Sequence, residues 1–138
     1  MKIIDAIFCE DIRFELNNKL SLMGLYSDQI IFQANGSAAA EIQWPIATTL
    51  ALLLRFKIEK NEKHPDQFKF EYLIENSPLI NISGQINMDK KQSTISIALL
   101  TPQLPLRPGN LGFSIQLLEG SESVFSYENK AAIEIATN

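Results

Sequence analysis

Apolar and polar residues trade places at every second position in five separate stretches of this chain. The run Ile80-Asn81-Ile82-Ser83-Gly84-Gln85-Ile86-Asn87-Met88 has an aliphatic residue or glycine at each even position and a polar one between. Phe68-Lys69-Phe70-Glu71-Tyr72-Leu73-Ile74-Glu75 nearly repeats the pattern. Successive side chains of a strand leave it on opposite faces, so each such segment has one dry face and one wet face. The reading is all-β.

Further strands follow from the same period. Ile3 to Cys9 reads as a first strand, with Ile4, Ala6 and Phe8 on one face. Ile12 to Leu16 and Leu20 to Gly24 form a hairpin. Placing Asn17, Asn18 and Lys19 in its loop sets Leu16 against Leu20 and Phe14 against Leu22 on one face, and Glu15 against Ser21 on the other. A one-residue slip would mix dry with wet, so this register is expected, with Asn18 or Lys19 left-handed. Gln29 to Gln33 is a short strand, Asn35-Gly36-Ser37 a turn, and Ala38 to Ala40 a helical turn or plain loop. After Pro45, Leu50, Leu52, Leu54, Phe56 and Ile58 share a face while Ala51 and Leu53 occupy the other, which predicts a strand buried on both faces at first and on one later. Leu and Ala are also good helix formers, so a helix competes there; the β-rich surroundings favour the strand.

Lys60 to Asp66 is a polar loop, and Phe68 to Glu75, Leu79 to Met88 and Ser93 to Leu100 are strands. Thr101 to Gly109 carries three prolines, so it must bridge strands or run along an edge. Gly112 to Leu118, Glu122 to Tyr127 and Ala131 to Ile135 follow. The pattern leaves two registers open for their hairpin, Ile115 opposite Val124 or opposite Phe125. About nine or ten short strands spaced by turn signals predict one domain over residues 1–138, a two-layer antiparallel β-sandwich of immunoglobulin-like or C2-like type.

Charge narrows the partners. Twelve basic and 16 acidic residues give a net charge of −4, and no cationic stripe is present to displace counterions from phosphates, so nucleic acid is not an expected partner. Cys9 is the sole cysteine, which rules out an internal disulfide. Asp5 interrupts what a signal peptide would need as an apolar core, and Ile46 to Leu54 is about half of the ~20 residues that span a bilayer. Without a secretory signal, the sequons Asn35-Gly36-Ser37 and Asn81-Ile82-Ser83 read as chance matches. A cytoplasmic protein without an integral membrane segment is expected.

Catalytic and metal chemistry find little support. One histidine, His64, and one cysteine cannot build the usual zinc sets, and no elbow motif presents a serine nucleophile. Glu10 and Asp11 follow Cys9 directly and would raise its thiol pKa, so it reads as a small buried side chain. The acidic loop residues Glu10, Asp11, Asp28, Asp66 and Asp89 never bring more than two carboxylates into one loop, whereas calcium wants six to eight oxygens. Pro102-Gln103-Leu104-Pro105-Leu106-Arg107 spells a P-x-x-P-x-R string, but Leu104 and Leu106 look like core anchors. Trp44, beside Pro45, is either a contact point for a partner or part of the core. No catalytic residue, cofactor or metal is assigned.

The block Cys9-Glu10-Asp11-Ile12-Arg13-Phe14-Glu15, continued by Asn18-Lys19-Leu20-Ser21-Leu22-Met23-Gly24-Leu25-Tyr26, resembles the opening signature C-E-x-x-R-x-E-x-x-N-K-x-S-L-x-G-x-Y of a bacterial family of small proteins of uncharacterised function. The resemblance covers about the first 30 residues. It implies a bacterial, intracellular β-sandwich and offers no catalytic residue to carry over. Within the block, Glu10, Arg13, Glu15 and Lys19 are candidates for a charge cluster on the hairpin face, with Trp44 a further candidate contact. The reading is a non-enzymatic interaction or structural module, contacting a protein partner or its own copies through edge strands. The alternatives are a small enzyme with a carboxylate-based site and a calcium- or lipid-dependent C2-like domain.

Overall fold

A strand that is apolar on both faces needs cover on both sides, and the segment after Pro45 obtains it. In the computed structural model, which describes residues 1–33, 42–87, 89 and 91–137, this segment is β4 (Ile46–Lys57). The other strands are β1 (Lys2–Phe14), β2 (Leu20–Leu25), β3 (Gln29–Phe32), β5 (Gln67–Ile74), β6 (Ser77–Gln85), β7 (Thr94–Leu106), β8 (Gly109–Glu119) and β9 (Glu122–Thr137). They form a four-stranded sheet, β2-β1-β4-β7, and a five-stranded sheet, β3-β9-β8-β5-β6. The two sheets pack together as a sandwich, as the period-two pattern predicts. One pairing departs from the antiparallel expectation: β3 runs parallel to β9. The turn expected at Asn35-Gly36-Ser37 and the segment Ala38 to Ala40 lie outside the described residues.

Leu50, Leu52, Leu54 and Phe56 of β4 are fully buried and face Phe70, Tyr72, Phe113, Ile115 and Leu117 of the other sheet in one core. Aromatic edges tie the layers: Phe8 meets Phe113 at 6.3 Å between ring centroids, and Phe56 meets Phe125 at 5.7 Å. On the opposite face, Ala51 and Leu53 join Cys9 and Ile12 in a second buried cluster, against which Ile7, Leu20, Leu22 and Ala98 pack. The β1–β2 hairpin is therefore the cover for the outer face of β4.

Several registers differ from the expected ones. β1 is one strand rather than two, and Phe14 faces Leu20 while Arg13 faces Ser21. This is a shift of two residues, which keeps every side chain on its expected face. A 3-10 turn at Leu16–Asn18 takes up the difference, with Asn17 and Asn18 left-handed at φ 62° and 58°. A bulge between Ile3 and Asp5 turns Ile4 outward, whereas Ile3 packs on the core. β9 is likewise continuous; a tight turn that sets Glu119 opposite Glu122 and a bulge between Leu117 and Leu118 place Ile115 opposite Tyr127, neither of the two residues anticipated. The proline-rich stretch runs along an edge: Pro102 and Pro105 belong to β7, the last strand of its sheet.

Tyr72 is wholly buried. Burial pushes its phenol well above the ordinary 10.0, and the nearby Thr101 hydroxyl pulls slightly the other way. The unfolded chain ionises this group from about pH 10 while the folded chain keeps it neutral. Its contribution is thus fully present below pH 10 and falls as pH rises, by about 1.4 kcal/mol per pH unit. Tyr72→Phe should lose less stability between neutral and strongly alkaline pH than the wild type, measured by urea midpoints. Identical pH slopes for the two proteins would contradict this.

Candidate interaction surface

The hairpin on which the resemblance rests carries four of the five candidate residues. Glu10 and Arg13 sit three apart on an alternating strand, so they leave it on opposite faces. The Glu10 side chain folds over Gly24 and stands near Tyr26, whose phenol is raised first by burial and then by the Glu10 charge. Arg13 Nε pairs with Asp11 at 3.6 Å, both well exposed. Glu15 and Lys19 do come together at the hairpin tip, where the Glu15 N–H donates to the Lys19 carbonyl at 2.8 Å. The tip also carries bare hydrocarbon. Phe14 is 77% exposed and Leu16 85%. Trp44 is half-buried and meets Phe32 edge-to-face at 5.4 Å.

The tip overhangs an open sheet edge. At the end of the β4–β7 ladder, the Ile58 N–H donates to the Ser93 carbonyl at 2.7 Å, in the same register as Phe56 opposite Ile95. Directly opposed residues of an antiparallel ladder alternate between bonded and non-bonded pairs. Ile95, Ile97, Leu99 and Thr101 therefore direct their backbone groups at β4. Thr94, Ser96, Ala98 and Leu100 direct theirs to the side where β7 has no neighbour. Pro102 and Pro105 also fall at outward positions, where a missing N–H is tolerated, and a register shift with Gln103 at φ 54° interrupts the ladder beside them. The edge thus has a blocked half and an open half.

A groove of about 540 Å³ follows the open half, with Phe14 and Leu20 from the hairpin on one side and Phe68 and Ile86 from the other sheet across from them. Glu15 and Lys19 line its mouth. Edge strands of soluble proteins are usually blunted by charge. Here no charged residue lies between Lys91 and Arg107, nor between Glu75 and Asp89, the stretch that holds β6, the neighbouring edge of the other sheet. That absence of charge was the signal in the sequence for this surface. It marks a strand edge only once the strand order is known.

The outer face of the five-stranded sheet is different in kind. Registers align Asn81, Glu71, Ser114 and Glu128 in one row and Ser83, Lys69, Gln116 and Ser126 in the next. These residues line a shallow depression of about 570 Å³. They are the wet positions of the alternating strands, as a face turned to water requires.

The remaining candidates have structural roles. Cys9 is fully buried, and its Sγ lies 3.4 Å from the Asp11 carbonyl. Its thiol pKa is raised, chiefly by burial and only secondarily by the Asp11 charge. His64 is half-buried in the 60–66 loop. Acidic loop residues hold turns: Asp66 accepts from the Gly120 N–H at 3.0 Å, and Asp89 from the Lys91 N–H at 3.0 Å. Among the described residues no group of three or more His, Cys, Asp or Glu side chains converges on a point. Leu104 and Leu106 are fully buried within β7, so the P-x-x-P-x-R string is not presented as a polyproline helix. No helix of the described residues is long and apolar enough to cross a membrane.

Fold and surface together define an all-β sandwich whose β7 edge is uncharged and half open. No family model matches the chain, and no curated protein matches it.

Proposed function

We propose that this chain is a non-enzymatic interaction module that takes an extended protein segment onto the open half of the β7 edge. One observation carries the reading: Thr94, Ser96, Ala98 and Leu100 turn their backbone donors and acceptors away from β4, on an edge with no charge to repel a further strand. Strand addition supplies main-chain hydrogen bonds for affinity and alternate side-chain contacts for selectivity. Phe14 and Leu20 above the edge, and Phe68 and Ile86 beside it, supply the apolar contacts. The likeness of the hairpin block to a bacterial family with no catalytic residue to transfer belongs to this proposal and accords with it.

An alternating threonine–valine octapeptide, titrated into the dilute protein, is the probe. It should slow hydrogen exchange in the 94–100 segment and leave β2 and β3 unchanged. Ser96→Pro, which removes one outward N–H, should abolish the protection. If the peptide protects nothing in 94–100, or protects the proline variant equally, the reading fails.

A further inference from the structure

The open half of the β7 edge is symmetrical about its own middle. We infer that its occupant is a second copy of this chain, paired antiparallel through β7 about a two-fold axis at Ile97; the inference rests on the strand-edge reading above. With Ile97 opposite the partner's Ile97, Thr94 falls opposite the partner's Leu100, and Ser96 opposite the partner's Ala98. All four belong to the outward set established by the Ile58–Ser93 bond. Each opposed pair therefore exchanges both of its hydrogen bonds with no donor left over. Any register offset by one residue would set outward groups against groups already committed to β4.

The limits of the edge agree with this axis. Pro102 removes a donor just beyond Leu100, and Lys91 places a charge just before the strand. The pairing is thereby confined to the uncharged stretch between them. Leu100, 52% exposed on the outer face, gains the partner's Thr94 as a neighbour across the new ladder. The hairpin tip reaches the same edge, so the axis brings the two tips toward each other and covers Phe14, which otherwise stands in water. Glu15 and Lys19, of opposite charge, both line the groove, so the two hairpins add no net charge to the seam. The patch is complementary to itself, as an isologous interface requires. The four-stranded sheet becomes a continuous eight-stranded sheet, β2-β1-β4-β7 followed by its mirror order in the partner.

Light scattering of the full chain at tens of micromolar should give a mass near twice 15.5 kDa. Ser96→Pro and Ser96→Lys should each return it to 15.5 kDa with an unchanged circular dichroism spectrum. The lysine variant leaves the backbone intact, so it guards against a folding defect from the proline. Register is read by mixing: Ser96→Cys with Ala98→Cys should form a cross-linked heterodimer on oxidation, while Ser96→Cys alone should not cross-link, and Cys9, fully buried, does not compete. A dimer that survives both substitutions, or that cross-links through Ser96→Cys alone, overturns the inference. A monomeric wild type whose 94–100 segment is still protected by the octapeptide also overturns it, leaving the strand-edge reading in place. A monomer with no such protection overturns both.

Discussion

Leu54→Asp leaves no soluble folded protein. Leu54 is fully buried in the middle of β4, faces the second sheet, and stands opposite Ala6 on one side and Ile97 on the other. Losing the leucine alone forfeits about 1.5–3 kcal/mol of burial. A carboxylate placed there finds no cation in the surrounding core, which is made of Leu, Ile, Phe and Tyr side chains. It must either stay ionised at a cost of many kcal/mol or take up a proton and still leave polar atoms unpaired. Total stabilities of about 5–15 kcal/mol do not absorb such a loss. Leu54→Ala, costing about 2–5 kcal/mol, should remain folded with a clearly lowered melting temperature. A soluble aspartate variant melting with the wild type would show that this strand does not run through the core.

The second large effect is expected at Gly112. There the β8–β9 ladder shifts register, between Leu111 opposite Ile133 and Phe113 opposite Asn129. The β9 backbone swings in so closely that a Cβ on Gly112 would lie 2.6 Å from the carbonyl oxygens of both Asn129 and Lys130. Neither can rotate away, because both belong to the main chain. Gly112→Ala should therefore cost about 1–3 kcal/mol or more, the range of an overpacked core, read as a shifted urea midpoint with unchanged slope. Gly120 provides the contrast. It turns the β8–β9 hairpin at φ +62°, yet a Cβ there meets nothing within 4 Å, so Gly120→Ala should cost about 1 kcal/mol from left-handed strain alone. If the alanine at 112 proves the milder of the two, the close approach is misjudged.

Gly112 also shows where sequence reading stops. Periodicity assigns faces, because a face depends only on whether a position is odd or even. That is why the two buried faces of β4 and the dry and wet faces of β5 and β6 were legible beforehand. A shift of two residues leaves every face unchanged, so the hairpin register passed unseen until the turn at Leu16–Asn18 was placed. Bulges escape for the opposite reason. The extra residue between Ile3 and Asp5 and the one in β9 opposite Leu117 and Leu118 break parity locally, and nothing in the side-chain pattern announces them, whereas the shift at Gly112 is of two residues and changes no face. The candidate surface was half legible. The missing N–H groups limited the proline stretch to a bridge between strands or an edge, but the edge itself and the open half beside it depend on which strand ends the sheet. Strand order is a tertiary property. Of the residues singled out on the hairpin, Glu15 and Lys19 line the groove because they flank its tip, whereas Glu10 and Arg13 point to opposite faces by the same alternation that first identified the strand.

Residue-resolved amide exchange across a dilution series reaches the β7 edge directly. In the dilute protein Ile95, Ile97 and Leu99 should exchange slowly, since their N–H groups are bonded to β4, while Thr94, Ser96, Ala98 and Leu100 exchange fast. Raising the concentration should slow the second set and leave the first as it was. Slow exchange of all seven amides at every dilution would mean that the edge is already closed within one chain, and fast exchange of the outward set at every concentration would mean that nothing of its own kind pairs there.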